Sequence, residues 1–128
     1  GGKGNDTLTG GLGADIFKWQ LNDGGTTASP ATDTIKDFNN VNNSDKLDLR
    51  DLLVGESHSG NLAGNLASYL NFSYNSGTNT TTLSVKTSST LTAPDQIITL
   101  EGVNLVGTFT SQDAIIADLF SRGKLITD

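Results

Sequence analysis

The sequence predicts a mainly β fold: a short right-handed parallel β-roll, capped by antiparallel β-structure and closed by a C-terminal α-helix. Three observations predict it. Residues 1–18 hold two copies of one nine-residue phrase rich in glycine and carrying aspartate. The 128 residues include 15 Gly and 17 Thr but only 2 Pro, a turn-and-strand composition rather than that of a helical bundle. The 14 acidic residues divide into 12 Asp and two Glu, Glu56 and Glu101. Helix surfaces favour Glu, whereas turns and oxygen-ligand sites favour Asp. The acid is therefore placed for turns or ions.

The first phrase runs from Gly1 through Asp6 to Thr9, and the second from Gly10 through Asp15 to Lys18. Both fit G-G-x-G-x-D-x-U-x at every fixed position, with Leu8 and Phe17 as the large apolar residue. Each phrase gives a glycine turn and then a short strand with its apolar side chain inward. Residues 19–32 read as a loop, and Asp33-Thr34-Ile35-Lys36 repeats the second half of the phrase. Asp33 lies 18 residues after Asp15, the length of two phrases. That spacing predicts that Asp15 and Asp33 stand in one column of the roll. It leaves Asp6 without an equal partner, since Gly24 lies 18 residues on and Asp23 is one place off. Residues 1–38 are thus the roll and the start of the cap.

Residues 39–109 read as a β-rich cap. Asp37-Phe38 leads into a polar turn, after which Leu47 and Leu49 alternate with charge as in a strand. Asp51 is placed to cap a short helical turn. Residues 55–66 read as a loop or irregular helix. Residues 69–75 and 81–87 alternate apolar and polar, with Ser76-Gly77-Thr78-Asn79 as the hairpin turn between them. Residues 96–100 make another strand, which Val103 to Val106 extend or follow.

Residues 110–128 switch period. Thr110-Ser111-Gln112-Asp113 resembles a capping box, and Ile115, Ile116, Leu119 and Phe120 share one helical face. Gly123 sits where a C-terminal cap belongs, before a short apolar tail that ends in Asp128. The length suits one monomeric domain, 1–128. The start at Gly1, with no Met and no signal peptide, reads as a piece of a larger protein with more copies of the phrase before it.

Composition excludes several functions. The formal net charge of −6 disfavours nucleic acid and anionic membranes as partners. No apolar run approaches membrane-spanning length. With no Cys, disulfides, thiol catalysis and cysteine-ligated zinc are all excluded. His58 is the only histidine, and one imidazole builds neither a zinc nor a catalytic centre. There is no nucleophile elbow, P-loop or dinucleotide fingerprint. The chain is read as not an enzyme. Trp19, directly after the second phrase, reads as a core aromatic.

The phrase carries a metal chemistry. Its glycines let the backbone turn tightly and aim carbonyl oxygens inward, and its Asp adds a carboxylate. Oxygen-only donors suit a hard cation, and Ca²⁺ tolerates the irregular six- to eight-fold geometry that such turns give. Asp37 and Asp45 flank the cap turn, and each reads either as a further ligand or as a turn-capping group. Asp48, Asp51, Asp95, Asp113 and Asp118 lean structural.

GGKGNDTLTGGLGADIF resembles the repeats-in-toxin (RTX) nonapeptides of bacterial proteins exported by type I secretion. GADIFKW, DTIKDF and DKLDLRDLL resemble the cap that closes such rolls. AIIADLF and GKLITD resemble the C-terminus of large RTX adhesins of biofilms and surfaces. This resemblance implies that the first and third residues of a phrase donate carbonyls to Ca²⁺ and the sixth a carboxylate. The implied ligands are Gly1, Lys3 and Asp6, then Gly10, Leu12 and Asp15, with Asp33 sharing the Asp15 ion and Asp37 a further candidate. It implies an extracellular or cell-surface location and a C-terminal signal read by the type I secretion machinery. The remaining partner is the adhesin chain before Gly1. A C-terminal RTX module of a secreted protease or lipase is the alternative. Ligand binding by the domain itself, to sugar or ice, has one hint in the Thr-rich strands of 78–92.

Overall fold

Gly2 and Gly4 hold φ of +86° and +97°, and Gly11 and Gly13 hold +89° and +97°. Only glycine adopts this left-handed backbone without strain, so the two phrases fold into one turn geometry twice. Each turn feeds a strand, β1 (Thr7–Leu8) after the first and β2 (Ile16–Gln20) after the second. The computed structural model describes residues 1–20, 22–42, 44–56, 60 and 62–127. His58 and Asp128 lie outside the described residues.

The next two strands are β3 (Ala31–Ile35) and β4 (Lys46–Asp51). β3 pairs in parallel with β1, Thr7 beside Thr34 and Leu8 beside Ile35. β4 pairs in parallel with β2, Ile16 beside Lys46 and Phe17 beside Leu47. Successive strands therefore alternate between two sheets, as a roll requires. This corrects the expected column. Asp33 stands beneath Asp6, 27 residues on, and Asp45 stands beneath Asp15, 30 residues on. The column follows strand count, not residue count: the excursion between β2 and β3 adds nine residues to a two-phrase coil.

The cap continues the first sheet. Strands β5 (Leu70–Asn75), β6 (Thr80–Val85) and β7 (Gln96–Glu101) form an antiparallel meander. β7 also pairs in parallel with β3, giving the order β1-β3-β7-β6-β5. The hairpin turns as predicted, with Asn79 at φ +50°. Val103 and Leu105 follow β7 as a buried loop, not as strand. Asp51 is the last residue of β4 and pairs with Lys18 at 2.9 Å instead of capping a helical turn.

One α-helix, α1 (Gln112–Ser121), follows, with Ser111 as its cap: the hydroxyl accepts from Ala114 N at 3.2 Å. The cap is one residue later than the capping box implied. Gln112 is diverted to strand β5, where its amide bonds both backbone groups of Phe72, at 2.7 and 3.0 Å. Ile115, Ile116 and Leu119 are buried and Phe120 packs at the core's margin. Gly123, at φ +67°, ends the helix, and Lys124 N returns to Leu119 O at 2.8 Å. The tail then adds β8 (Leu125–Ile126) to the second sheet, in the order β2-β4-β8. Among the described residues no helix is long and apolar enough to cross a membrane.

The core lies between the sheets. Phe17, Leu47 and Leu49 from one side meet Ile35, Ile98 and Leu100 from the other, all buried. Each such side chain contributes roughly 1.5–3 kcal/mol of burial free energy. The outward face of the five-stranded sheet is polar. Ser73, Thr82, Thr99, Thr34 and Thr7 stand in one row across it.

Candidate metal centre

In both glycine turns the sixth residue folds back over the first. A Cβ built on Gly1 would lie 2.4 Å from Asp6 Oδ2, and one on Gly10 would lie 2.5 Å from Asp15 Oδ2. Glycine at those positions leaves the space that the carboxylate fills. Asp6 Oδ2 and Asp15 Oδ2 are buried and have no hydrogen-bond partner among the described residues. A buried carboxylate oxygen without a donor is costly, by about 1–3 kcal/mol or more, unless a cation faces it. Lys3 and Leu12 point their side chains into solvent, Leu12 entirely so, which leaves their main chain as the part that serves the turn. Among the described residues no group of three or more His, Asp or Glu side chains is placed to hold a metal. A site here has to draw on main-chain oxygens, as the phrase implies. The residues therefore fit a hard, oxygen-seeking ion at each of the two turns.

The aspartates of the following coil do something else. Asp33, 1% exposed, accepts Asp6 N on Oδ1 at 2.8 Å. Its Oδ2 accepts the Trp19 indole N–H at 2.7 Å and the Gln96 amide at 3.1 Å. Asp33 was expected to share an ion with Asp15. It instead laces two coils together, with both oxygens committed to N–H donors. Asp45 repeats the pattern, with Oδ1 accepting Asp15 N at 2.9 Å and Oδ2 accepting Asn39 N at 2.8 Å. Asp37 takes Gly10 N at 2.9 Å and Gly11 N at 2.8 Å, one on each oxygen. These two N–H groups, Gly10's first, hold its carboxyl below the usual carboxylate range. Asp37 thus caps the turn of the coil before, while Asp45 caps that coil through Asp15 N and its own turn through Asn39 N.

Asp48, Asp95 and Asp118 make structural contacts. Asp48 is buried within β4, and its bonded ion pair with Arg50, at 2.8 Å, lowers its pKa. Asp95 binds both the backbone and the hydroxyl of Thr87. Asp118 pairs with Arg122 one turn on, at 3.0 Å. Trp19 is a buried core aromatic with a polar duty that composition did not signal, since its N–H finds Asp33. Gln96 was missed for the same reason: its partner lies 63 residues away in sequence.

β1 and β2 are edge strands at the same end of the roll. Between them opens a cleft of about 340 Å³, lined by Gly1, Leu8, Gly10, Asp15 and Phe17 among others. The orphaned Asp15 carboxylate is in that lining, on the side away from the cap.

The sequence matches the family described as "Peptidase M10 serralysin C terminal" over residues 1–116. No curated protein sequence matches it. Solved structures that share the fold include two subunits of the mannuronan C5-epimerase of Azotobacter vinelandii. The AlgE6R2 subunit is 28% identical with a TM-score of 0.56, and the match covers 88% of this chain and 66% of that one. The AlgE6R3 subunit is 23% identical with a TM-score of 0.54, covering 86% and 57%. At that lower identity the likeness speaks for the fold alone. The chain spans less than two thirds of the length of either subunit.

Proposed function

The chain belongs to the peptidase M10 serralysin C-terminal family, and from that premise we propose that it is a calcium-binding RTX domain that folds on Ca²⁺ after export. One observation carries the reading: Asp6 Oδ2 and Asp15 Oδ2 are buried and donor-free in two turns of one geometry. Bound Ca²⁺ would supply the positive charge that these oxygens lack. Asp6 and Asp15 would give carboxylate oxygens, and Gly1, Lys3, Gly10 and Leu12 main-chain carbonyls. Gly1 and Gly10 keep the carboxylates over their own turns. A further coil paired on the free edges of β1 and β2 would complete the donor sets.

Folding is the function this chemistry supports. Extracellular calcium modules bind weakly, at roughly 10⁻⁴–10⁻³ M, so cytosolic calcium leaves them empty. Without the ion, Asp6 and Asp15 keep their uncompensated charge and the turns stay open. An open chain suits passage through a type I secretion channel. Outside, binding free energy becomes folding free energy, and the folded domain does not return.

The parent protein has two readings. AIIADLF and GKLITD support a large surface adhesin with its secretion signal in residues 110–128. The family's own description, a peptidase C-terminal region, supports a secreted protease. The R-type subunits sit in an epimerase, so the fold accompanies more than one parent. The adjoining sequence separates the readings: immunoglobulin-like repeats indicate an adhesin, and an H-E-x-x-H helix a protease.

The test of the calcium reading is a titration of the chelated domain followed by circular dichroism and calorimetry. β content should rise with Ca²⁺, and Asp6→Asn with Asp15→Asn should abolish the rise. Equal β content with and without chelator would sink it.

A further inference from the structure

Lys124 is a fully buried lysine whose ammonium donates its hydrogen bonds to neutral oxygens, with the negative charge of Asp45 acting on it from the same turn. It is 1% exposed. Its Nζ donates to Asn39 O at 2.6 Å, to Ser44 Oγ at 2.7 Å and to Asp45 O at 3.2 Å. An ammonium has three donors, and all three are used. The ring of Phe38 lies on another side, 5.4 Å from the nitrogen. Removing an ammonium from water is expensive, so a residue that only filled this space would be apolar.

The oxygens belong to one turn, residues 37–45, which joins β3 to β4. That turn lies directly beneath the second glycine turn. Asp37 holds Gly10 and Gly11 from below, and Asp45 holds Asp15. The two turns are successive members of one column. The upper one leaves Asp15 Oδ2 without a donor. The lower one converges its oxygens on the Lys124 ammonium. Arg122 reinforces the grip from two residues away, giving Nη1 to Asn40 O at 3.0 Å and to Asn40 Oδ1 at 2.7 Å. The backbone fixes the approach, because Gly123 reverses the chain and Leu47 N bonds Lys124 O at 2.8 Å.

We propose that Lys124 is a tethered cation that occupies the oxygen-lined cap turn in the way a metal ion would occupy a repeat turn. The cap coil is then independent of calcium, and the C-terminal tail sets the position of Asp45 and, through it, of Asp15. The contrast with the upper turn rests on the calcium reading. The role of Lys124 does not, so its test holds calcium constant and varies only the lysine.

The experiment compares the 128-residue chain with Lys124→Met and Lys124→Ala at one saturating Ca²⁺ concentration, by thermal unfolding and amide exchange. Methionine keeps the volume and loses the charge. We expect Lys124→Met to lower Tm by several degrees and Lys124→Ala by more. Ethylammonium should restore much of the Lys124→Ala loss, while tetramethylammonium at equal ionic strength, which has no N–H, should not. Lys124→Met with wild-type Tm would overturn the proposal. So would Lys124→Ala that ethylammonium leaves unrestored. Should Lys124→Ala not fold, Lys124→Met carries the test alone. At least tenfold faster exchange of the Asp15 and Asn39 amides, with that of Phe72 unchanged, supports it, and unchanged exchange at all three overturns it.

Discussion

Asp33 accepts the backbone N–H of Asp6 at 2.8 Å across 27 residues of sequence. Asp45 does the same to Asp15 at 2.9 Å. The sixth-position aspartate of one coil therefore holds the sixth-position amide of the coil before it. One oxygen of Asp33 and one of Asp45 lace the stack, and the other meets whatever lies beside the turn. In the cap that neighbour is a set of N–H donors, from Trp19 and Gln96 at Asp33 and from Asn39 at Asp45. In the glycine turns, Asp6 Oδ2 and Asp15 Oδ2 meet no donor among the described residues. Cap and repeat differ in their donors, not in their aspartates.

Trp19→Phe should destabilise the domain by about 2 kcal/mol, the usual worth of a hydrogen bond to a charged group. Asp33 Oδ2 would keep only the longer bond from Gln96, in a buried position. Urea unfolding of both proteins in saturating Ca²⁺, followed by circular dichroism, measures the difference. Equal midpoints would mean that Gln96 satisfies the oxygen alone.

Gly10→Ala should weaken calcium binding roughly tenfold or more, the usual effect of displacing a ligand's support. The new Cβ would lie 2.5 Å from Asp15 Oδ2, so the carboxylate has to swing away from its turn. Gly24→Ala is the control, since its Cβ makes nothing closer than an ordinary 3.5 Å contact. Calorimetric titration of both variants decides it. Matching affinities for the two variants would remove Asp15 from the site.

The turns were legible in the sequence because glycine and aspartate at fixed spacing have few other uses. The strands of the hairpin were legible from alternation, and Ile115, Ile116 and Leu119 from helical period. Column partners were not legible, because nine extra residues between β2 and β3 preserve the multiple of nine while moving Asp33 to the other side of the roll. The polar role of Trp19 and the charge of Lys124 were not legible either. Their partners lie 14 and about 80 residues away and meet only after both sheets form.

Asp37 gives the roll an acid-sensitive joint. Its carboxyl titrates below its ordinary value because Gly10 N–H and, next, Gly11 N–H favour the charged form. Such a group stabilises the fold above the unfolded pKa of about 3.9, and that stability is lost as pH falls through the lower folded value. Asp37→Asn should therefore have a lower Tm than wild type at pH 7 and at pH 5, by the same margin. Below about pH 4 the margin should close. A margin constant down to pH 3 would assign the effect to shape rather than charge.

Gln112 completes the outer edge of the five-stranded sheet. β5 is an edge strand, and the Gln112 amide accepts Phe72 N at 2.7 Å and donates to Phe72 O at 3.0 Å, as a neighbouring strand would. An uncovered edge is a template for pairing with another chain. Gln112→Ala removes both bonds and should cost about 1–2 kcal/mol. It should also produce concentration-dependent association beyond that of wild type. Sedimentation across a hundredfold range of concentration, beside urea unfolding, checks both effects. Ser111→Ala serves as the comparison: it loses the helix cap, about 1 kcal/mol, but leaves the edge covered and should stay monomeric. If the two variants lose similar stability and only Gln112→Ala associates, the side chain guards the edge as well as docking the helix.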